Sequence, residues 1–328
     1  MLPVQDISLE GRWAVDVCGL RTSAPAAAVR FAFEGPFVEL EMEGAARWKV
    51  EIDGEEKPEL CTGRRSVYRI AGLWDCAHEI RMAKKTETES GKCQLYAIRA
   101  NALSAPSRLK KTFRLEFIGD SYTVGFGNAA PDPFSGDALT TTDATLGYGA
   151  LVAEKLNAEF AINAYSGRGL VQNYMGIAPD WTIPRLLNYT LGGEAPRGNS
   201  PIWDFSQYIP DVVCLFVGIN DWQGEYAHPQ PGNFDSAYSR FLDVLRSHYD
   251  SHFLLISTET FPGNYLPERV ESVFARELSR GNRDVSHCFL ETSRRQGLDF
   301  HPDLECHRRM AALLSQKISE ILTRRKGF

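Results

Sequence analysis

The sequence predicts two units in one chain. Residues 1–105 form an antiparallel β-sandwich of the jelly-roll kind, 106–111 a linker, and 112–328 an α/β unit whose parallel sheet is flanked by helices. Three observations predict it. Apolar residues alternate with period two through the first hundred residues, as strands with one wet face require. Beyond Lys111 the apolar runs become continuous and alternate with helical patterns, the signature of a buried parallel sheet. Between the two lies "NALSAPSRLKK", whose composition is that of a loop.

In the first unit, "VRFAFEG" reads as a strand. "FVELEMEG" sets Val38, Leu40 and Met42 against Glu39, Glu41 and Glu43. "RWKVEIDG" sets Trp48, Val50 and Ile52 against Lys49, Glu51 and Asp53, and ends in an Asp53-Gly54 turn. "SVYRIAG", "HEIRMA" and "QLYAIRA" complete the sandwich. In the second unit, "FRLEFIG", "AEFAINAYSG", "DVVCLFVGIND", "HFLLISTET" and "DVSHCFLET" are the strands. "GYGALVAEKLN", "FDSAYSRFLDVLRSHY", "NYLPERVESVFARELSR" and "PDLECHRRMAALLSQKISEILTRR" are the helices.

Composition narrows the function classes. With 43% hydrophobic residues, 24% charged residues and a net charge of −6, the chain is expected to be soluble and to bind neither nucleic acid nor a membrane surface. Its seven cysteines lack the CxxC spacing of zinc and redox sites. The opening "MLPVQDISLEGRWAVDV" is too acidic for a signal peptide, and the apolar run Val212–Ile219 is far too short to span a bilayer. The expected compartment is the cytoplasm, or the exterior if a leader was removed.

Ligands of open parallel sheets bind beyond the carboxyl ends of the strands. Four segments place polar residues there. Ser121 follows the first strand in "IGDSYTVGFGN", and Gly167 lies in "AYSGRGL". Asn220 lies in "VGIND", and Asp299 and His301 in "GLDFHPD". A phosphate loop would need GxxxxGK[ST] and a dinucleotide site GxGxxG, and neither fits the serine turn. The set fits nucleophilic acyl transfer. Ser121 is the expected nucleophile and His301 its base. Asp299 is the expected partner that orients the imidazole; the competing reading has Asp299 in solvent and a backbone carbonyl in its place. The backbone N–H groups of Ser121 and Gly167 and the side-chain amide of Asn220 are the expected oxyanion donors. Trp222 is expected as a site wall that stacks on a sugar, with plain packing as the competing reading. Asp221 is expected to hold its turn, and His307 to pack.

On these blocks, in this order from Thr112 to Phe328, the sequence resembles the SGNH (GDSL-type) hydrolases. With the preceding sandwich and the phrase "TLGYGALVAEKLNAEF", it resembles carbohydrate esterase family 2. The resemblance implies removal of acetyl groups from plant cell-wall polysaccharides such as xylan and glucomannan, with no metal or cofactor. It assigns the nucleophile to Ser121, the base to His301 and the oxyanion donors to Ser121, Gly167 and Asn220. One departure stands out: the usual final block is DxxH, and Leu298 occupies the acidic position. Two other readings are a short-chain acyl esterase or thioesterase on a non-carbohydrate substrate, and an inactive carbohydrate-binding protein. The sequence is silent on oligomeric state.

Overall fold

A computed structural model describes residues 4–107, 110–223, 228–259 and 265–325. Arg108 and Leu109 of the expected linker, and the C-terminal residues 326–328, lie outside the described residues. The first eleven strands are β1 (Ser8–Glu10), β2 (Ala14–Asp16), β3 (Gly19–Thr22), β4 (Ala28–Glu34), β5 (Phe37–Glu43), β6 (Ala46–Ile52), β7 (Glu55–Thr62), β8 (Ser66–Ala71), β9 (Ala77–Lys84), β10 (Cys93–Arg99) and β11 (Ala102–Ser104). They form two antiparallel sheets. One runs β1-β4-β9-β6-β7 with β11 beside β4, the other β2-β3-β10-β5-β8. Between them Leu20, Phe31, Phe33, Leu40, Trp48 and Met82 are fully buried. The alternation in β5 and β6 is what allows this: every second side chain goes inward while the glutamates stay at the surface. Strand β7 carries Pro58 and is largely exposed, as suits an edge.

The remaining strands, β12 (Arg114–Gly119), β13 (Glu159–Ala164), β14 (Val212–Phe216), β15 (His252–Ser257) and β16 (Val285–Phe289), form a parallel sheet in the order β13-β12-β14-β15-β16. The chain order reverses around β12, which is where such sheets open a crevice. The principal helices are α1 (Ser121–Val124), α2 (Ala138–Thr141), α3 (Tyr148–Lys155), α4 (Ile183–Leu186), α5 (Pro231–His248), α6 (Leu266–Ser279) and α7 (Leu304–Arg325). Helix α3 packs with α7, and α5 with α6. No helix among the described residues is long and apolar enough to cross a membrane.

A buried cation joins the sandwich to the sheet. Arg12, 2% exposed, pairs with Glu116 of β12 at 3.2 Å and donates to the carbonyls of Leu187 at 2.6 Å and Tyr189 at 3.2 Å. Its guanidinium also lies 4.7 Å from the Trp203 ring centre. Trp203 is thus a packing residue of the seam between the units.

Candidate active site

The serine turn begins where β12 runs out. Asp120 is extended and caps α1, its carboxylate accepting from Tyr122 N–H at 3.1 Å; Ser121 is the first helical residue. A first-turn N–H has no partner within its own helix. Ser121 N–H therefore points outward from a helix start and has no hydrogen-bond partner among the described residues. Burial pushes the Asp120 carboxyl up to about 8, so the cap itself carries little charge at neutral pH.

The histidine arrives from a separate turn. Leu298–Phe300 form a single tight turn in which Asp299 and Phe300 both have positive φ, +49° and +59°. This turn bends His301 back over its own backbone. Leu298 O accepts from His301 N–H at 3.1 Å and lies 2.9 Å from His301 Nδ1. The other ring nitrogen, Nε2, lies 2.9 Å from Ser121 Oγ. With Nδ1 donating to a carbonyl, Nε2 is left as the acceptor facing the hydroxyl. Tyr122 and Phe126 pack on the imidazole at 5.5 and 4.6 Å between ring centres. Burial holds its pKa below the ordinary histidine value, with the Leu298 carbonyl opposing.

Main-chain bonds stitch the serine and histidine turns together. Leu298 N–H donates to Gly127 O at 3.0 Å, Asp299 N–H to Pro133 O at 2.9 Å, and Leu304 N–H to Asn128 O at 3.0 Å. Gly127 has φ +57°, and a Cβ there would stand 2.2 Å from that of Leu298. This glycine sets how closely the two turns approach.

The structure also brings Gly167 and Asn220 together. Asn220, 5% exposed, donates through Nδ2 to Arg168 O at 2.9 Å, next to Gly167. The amide keeps a second hydrogen, and Gly167 N–H has no hydrogen-bond partner among the described residues. Asp221 holds a neighbouring loop rather than its own turn. Its buried carboxylate accepts from the N–H groups of Leu170 at 2.7 Å, Val171 at 2.7 Å and Gln172 at 2.9 Å. Gly169 makes this possible, because a Cβ would lie 2.5 Å from Asp221 Oδ2.

Two further expectations need correction. Asp299 does not hold the imidazole; it is exposed, and the Leu298 carbonyl takes Nδ1. The reason is the left-handed conformation of Asp299, which breaks the extended geometry that would put residues 299 and 301 on one side. Trp222 is not an open platform. It is 5% exposed, enclosed by the rings of His228, Phe234 and Tyr265 at 5.8, 5.4 and 5.9 Å.

The sequence reading missed the aromatic residues that are open near the histidine. Phe300, 47% exposed, meets Phe134, 81% exposed, edge to face at 5.2 Å. Phe300 stands in "DFHP" directly before His301, so its place was available from the motif; Phe134, in the polar "PDPFSG", gave no such signal.

Comparison with known proteins then places the chain. Residues 9–106 match the family model "Carbohydrate esterase 2 N-terminal". The chain is 29% identical over 293 residues to the Cellulase/esterase CelE of Acetivibrio thermocellus, covering 85% of this chain but only 35% of that protein. It is 27% identical over 307 residues to an acetylxylan esterase / glucomannan deacetylase of Cellvibrio japonicus, covering 89% of this chain and 83% of that one. Among solved structures, a family two carbohydrate esterase from Clostridium thermocellum in complex with cellohexaose superposes with TM-score 0.87 at 27% identity. That match spans 97% of this chain and 99% of the other.

Proposed function

We infer that this chain, which belongs with the family 2 carbohydrate esterases by sequence and by fold, is a serine esterase that removes acetyl groups from plant cell-wall polysaccharides or their oligosaccharides, such as xylan and glucomannan. The observation that carries this reading is the 2.9 Å contact between Ser121 Oγ and His301 Nε2.

In this reading His301 Nε2 takes the Ser121 proton as Oγ attacks the acetyl carbonyl. The oxyanion accepts from the N–H groups of Ser121 and Gly167 and the free amide hydrogen of Asn220. The imidazolium then gives its proton to the departing sugar oxygen, which leaves as a hydroxyl. Water, deprotonated by the same nitrogen, attacks the acetyl-serine; acetate leaves and the serine is restored. The Leu298 carbonyl fixes the tautomer throughout. Being a dipole rather than a full charge, it supports the imidazolium less than a carboxylate would, in keeping with the lowered pKa. The open Phe134–Phe300 pair offers an apolar wall for a sugar ring, the role expected of Trp222. No metal or cofactor enters this scheme.

Purified protein should release acetate from acetylated xylan and from a chromogenic acetyl ester without added metal. Ser121→Ala should lower that rate by about 10³-fold or more. A Ser121→Ala rate within ten-fold of the parent would remove the nucleophile assignment, and faster turnover of butyryl than of acetyl esters would remove the substrate class.

A further inference from the structure

The sandwich reaches into the region where oxyanion charge would be stabilised. After β9 its chain makes the short turn Thr86–Ser90 at the C-terminal edge of β13. Three consecutive residues of that turn address three residues around Gly167. The Thr88 hydroxyl donates to Ala164 O at 2.7 Å, at the last residue of β13. Glu89 Oε1 lies 3.5 Å from Arg168 Nε, directly after Gly167. Glu87, 5% exposed, turns its carboxyl toward Ser166, directly before it, and burial raises its pKa. A buried lysine makes the turn stiff. Lys84 Nζ donates to the carbonyls of Ser23 at 3.2 Å, Thr86 at 2.9 Å and Glu87 at 2.7 Å. From the opposite side Gly193 closes on the turn; a Cβ there would stand 2.6 Å from Thr88 O.

Gly167 itself sits in the left-handed region at φ +73°, and within its own unit the loop is tied by Tyr165 N–H to Gly119 O at 3.0 Å, Arg168 N–H to Tyr165 O at 3.1 Å, Tyr174 N–H to Gly167 O at 2.9 Å and Asn220 to Arg168 O. Those bonds fix residue 165, the N–H of Arg168 and the carbonyl sides of residues 167 and 168, and they leave the Ser166 carbonyl and the Gly167 N–H without a main-chain partner among the described residues. The Gly167 N–H belongs to the peptide unit that starts at Ser166, and its two flanks are met from the sandwich, by Thr88 at the strand end before it and by Glu89 at the Arg168 side chain after it. We propose that Thr88 and Glu89 are positioning residues for the Gly167 donor, so that the sandwich completes the catalytic apparatus of the esterase unit. The inference rests on the esterase reading above. It gives the N-terminal unit a role beyond any polysaccharide contact of its own.

The test uses the full chain, a chromogenic acetyl ester and an aryl phosphonate that labels the reactive serine, so that every rate is expressed per titrated site. Thr88→Val removes the hydroxyl and keeps the shape. It should lower kcat per site by about ten-fold with KM within about two-fold, since small displacements of a catalytic group are costly. Thr88→Ser, which keeps the donor, should restore the parent kcat. The phosphonylation rate, which places its own oxyanion on the same donors, should fall in parallel. Glu89→Gln should lower kcat per site by about three-fold, as suits a partly exposed pair. A Thr88→Val enzyme with parent kcat per site overturns the proposal, as does a loss that appears only as fewer titratable sites. If Thr88→Val yields no titratable protein, Glu89→Gln decides, and an unchanged kcat there overturns it. Failure of the underlying esterase reading shows elsewhere, as phosphonate that labels a residue other than Ser121.

Discussion

The Leu298 carbonyl at His301 Nδ1 predicts a mild phenotype for Asp299→Asn. Where a carboxylate holds the imidazole, exchanging it for an amide costs about 10⁴-fold, or about 5.5 kcal/mol, because the wrong tautomer is favoured. Here the tautomer is set by a main-chain carbonyl that the substitution leaves in place. What Asn removes is the through-space effect of an exposed carboxylate, a minor contributor that raises the His301 pKa. A unit charge 5–10 Å away in a water-like medium is worth about 0.4–0.8 kcal/mol. That sets the loss at about two- to four-fold at pH 8. The sign in pH follows. His301 must be neutral to act as base, and burial lowers its pKa, so the acid limb of kcat/KM for the parent should fall below about 6.5. Removing a neighbouring negative charge disfavours the imidazolium further, moving the limb down by about 0.3–0.6 pH unit. The assay is kcat/KM on a chromogenic acetyl ester from pH 4.5 to 9 for both proteins. A loss beyond about 100-fold at pH 8, or a limb that moves up, would refute the carbonyl as the orienting group.

Two further outcomes follow from the packing. Gly127→Ala forces a left-handed backbone on alanine and drives a methyl into Leu298, so the serine and histidine turns must part. Unfolding in urea should show a loss of about 1–3 kcal/mol, and kcat should fall by at least about ten-fold; parent-like values for both would show that the turns do not need this close approach. Arg12→Ala leaves Glu116 in the core without its cation and strands the carbonyls of Leu187 and Tyr189. It should cost about 3–5 kcal/mol by urea unfolding, much of it recovered in Arg12→Met/Glu116→Leu, where neither charge remains; a loss under about 1 kcal/mol would mean that the pair is not desolvated.

The contrast between Ser121–His301 and Asp299 shows what this sequence makes legible. The strands of the parallel sheet are continuous apolar runs, and their carboxyl ends must lie on one edge, so a serine and a histidine 180 residues apart could be brought together from period and order alone. The orientation of the imidazole depends instead on two left-handed residues in a row, and neither Asp299 nor Phe300 is a glycine that would announce such a turn. Trp222 failed for another reason. Its neighbours Phe234 and Tyr265 come from or adjoin helices well downstream, and only their convergence distinguishes a packed ring from an open one. Strand β7 is hidden in the sequence because "EEKPELCT" has the polar composition of a loop, while its pairing with β6 is fixed by the Asp53-Gly54 turn before it. The turn Thr86–Ser90 was illegible in the same way. "TETES" reads as a solvated connection within the sandwich, and its contacts are with a strand end more than seventy residues away. Local pattern thus located the serine and the histidine that meet at the sheet edge and each unit's core. The groups that orient the imidazole and the Gly167 loop lie in irregular backbone and at the seam between the units, where no period exists to be read.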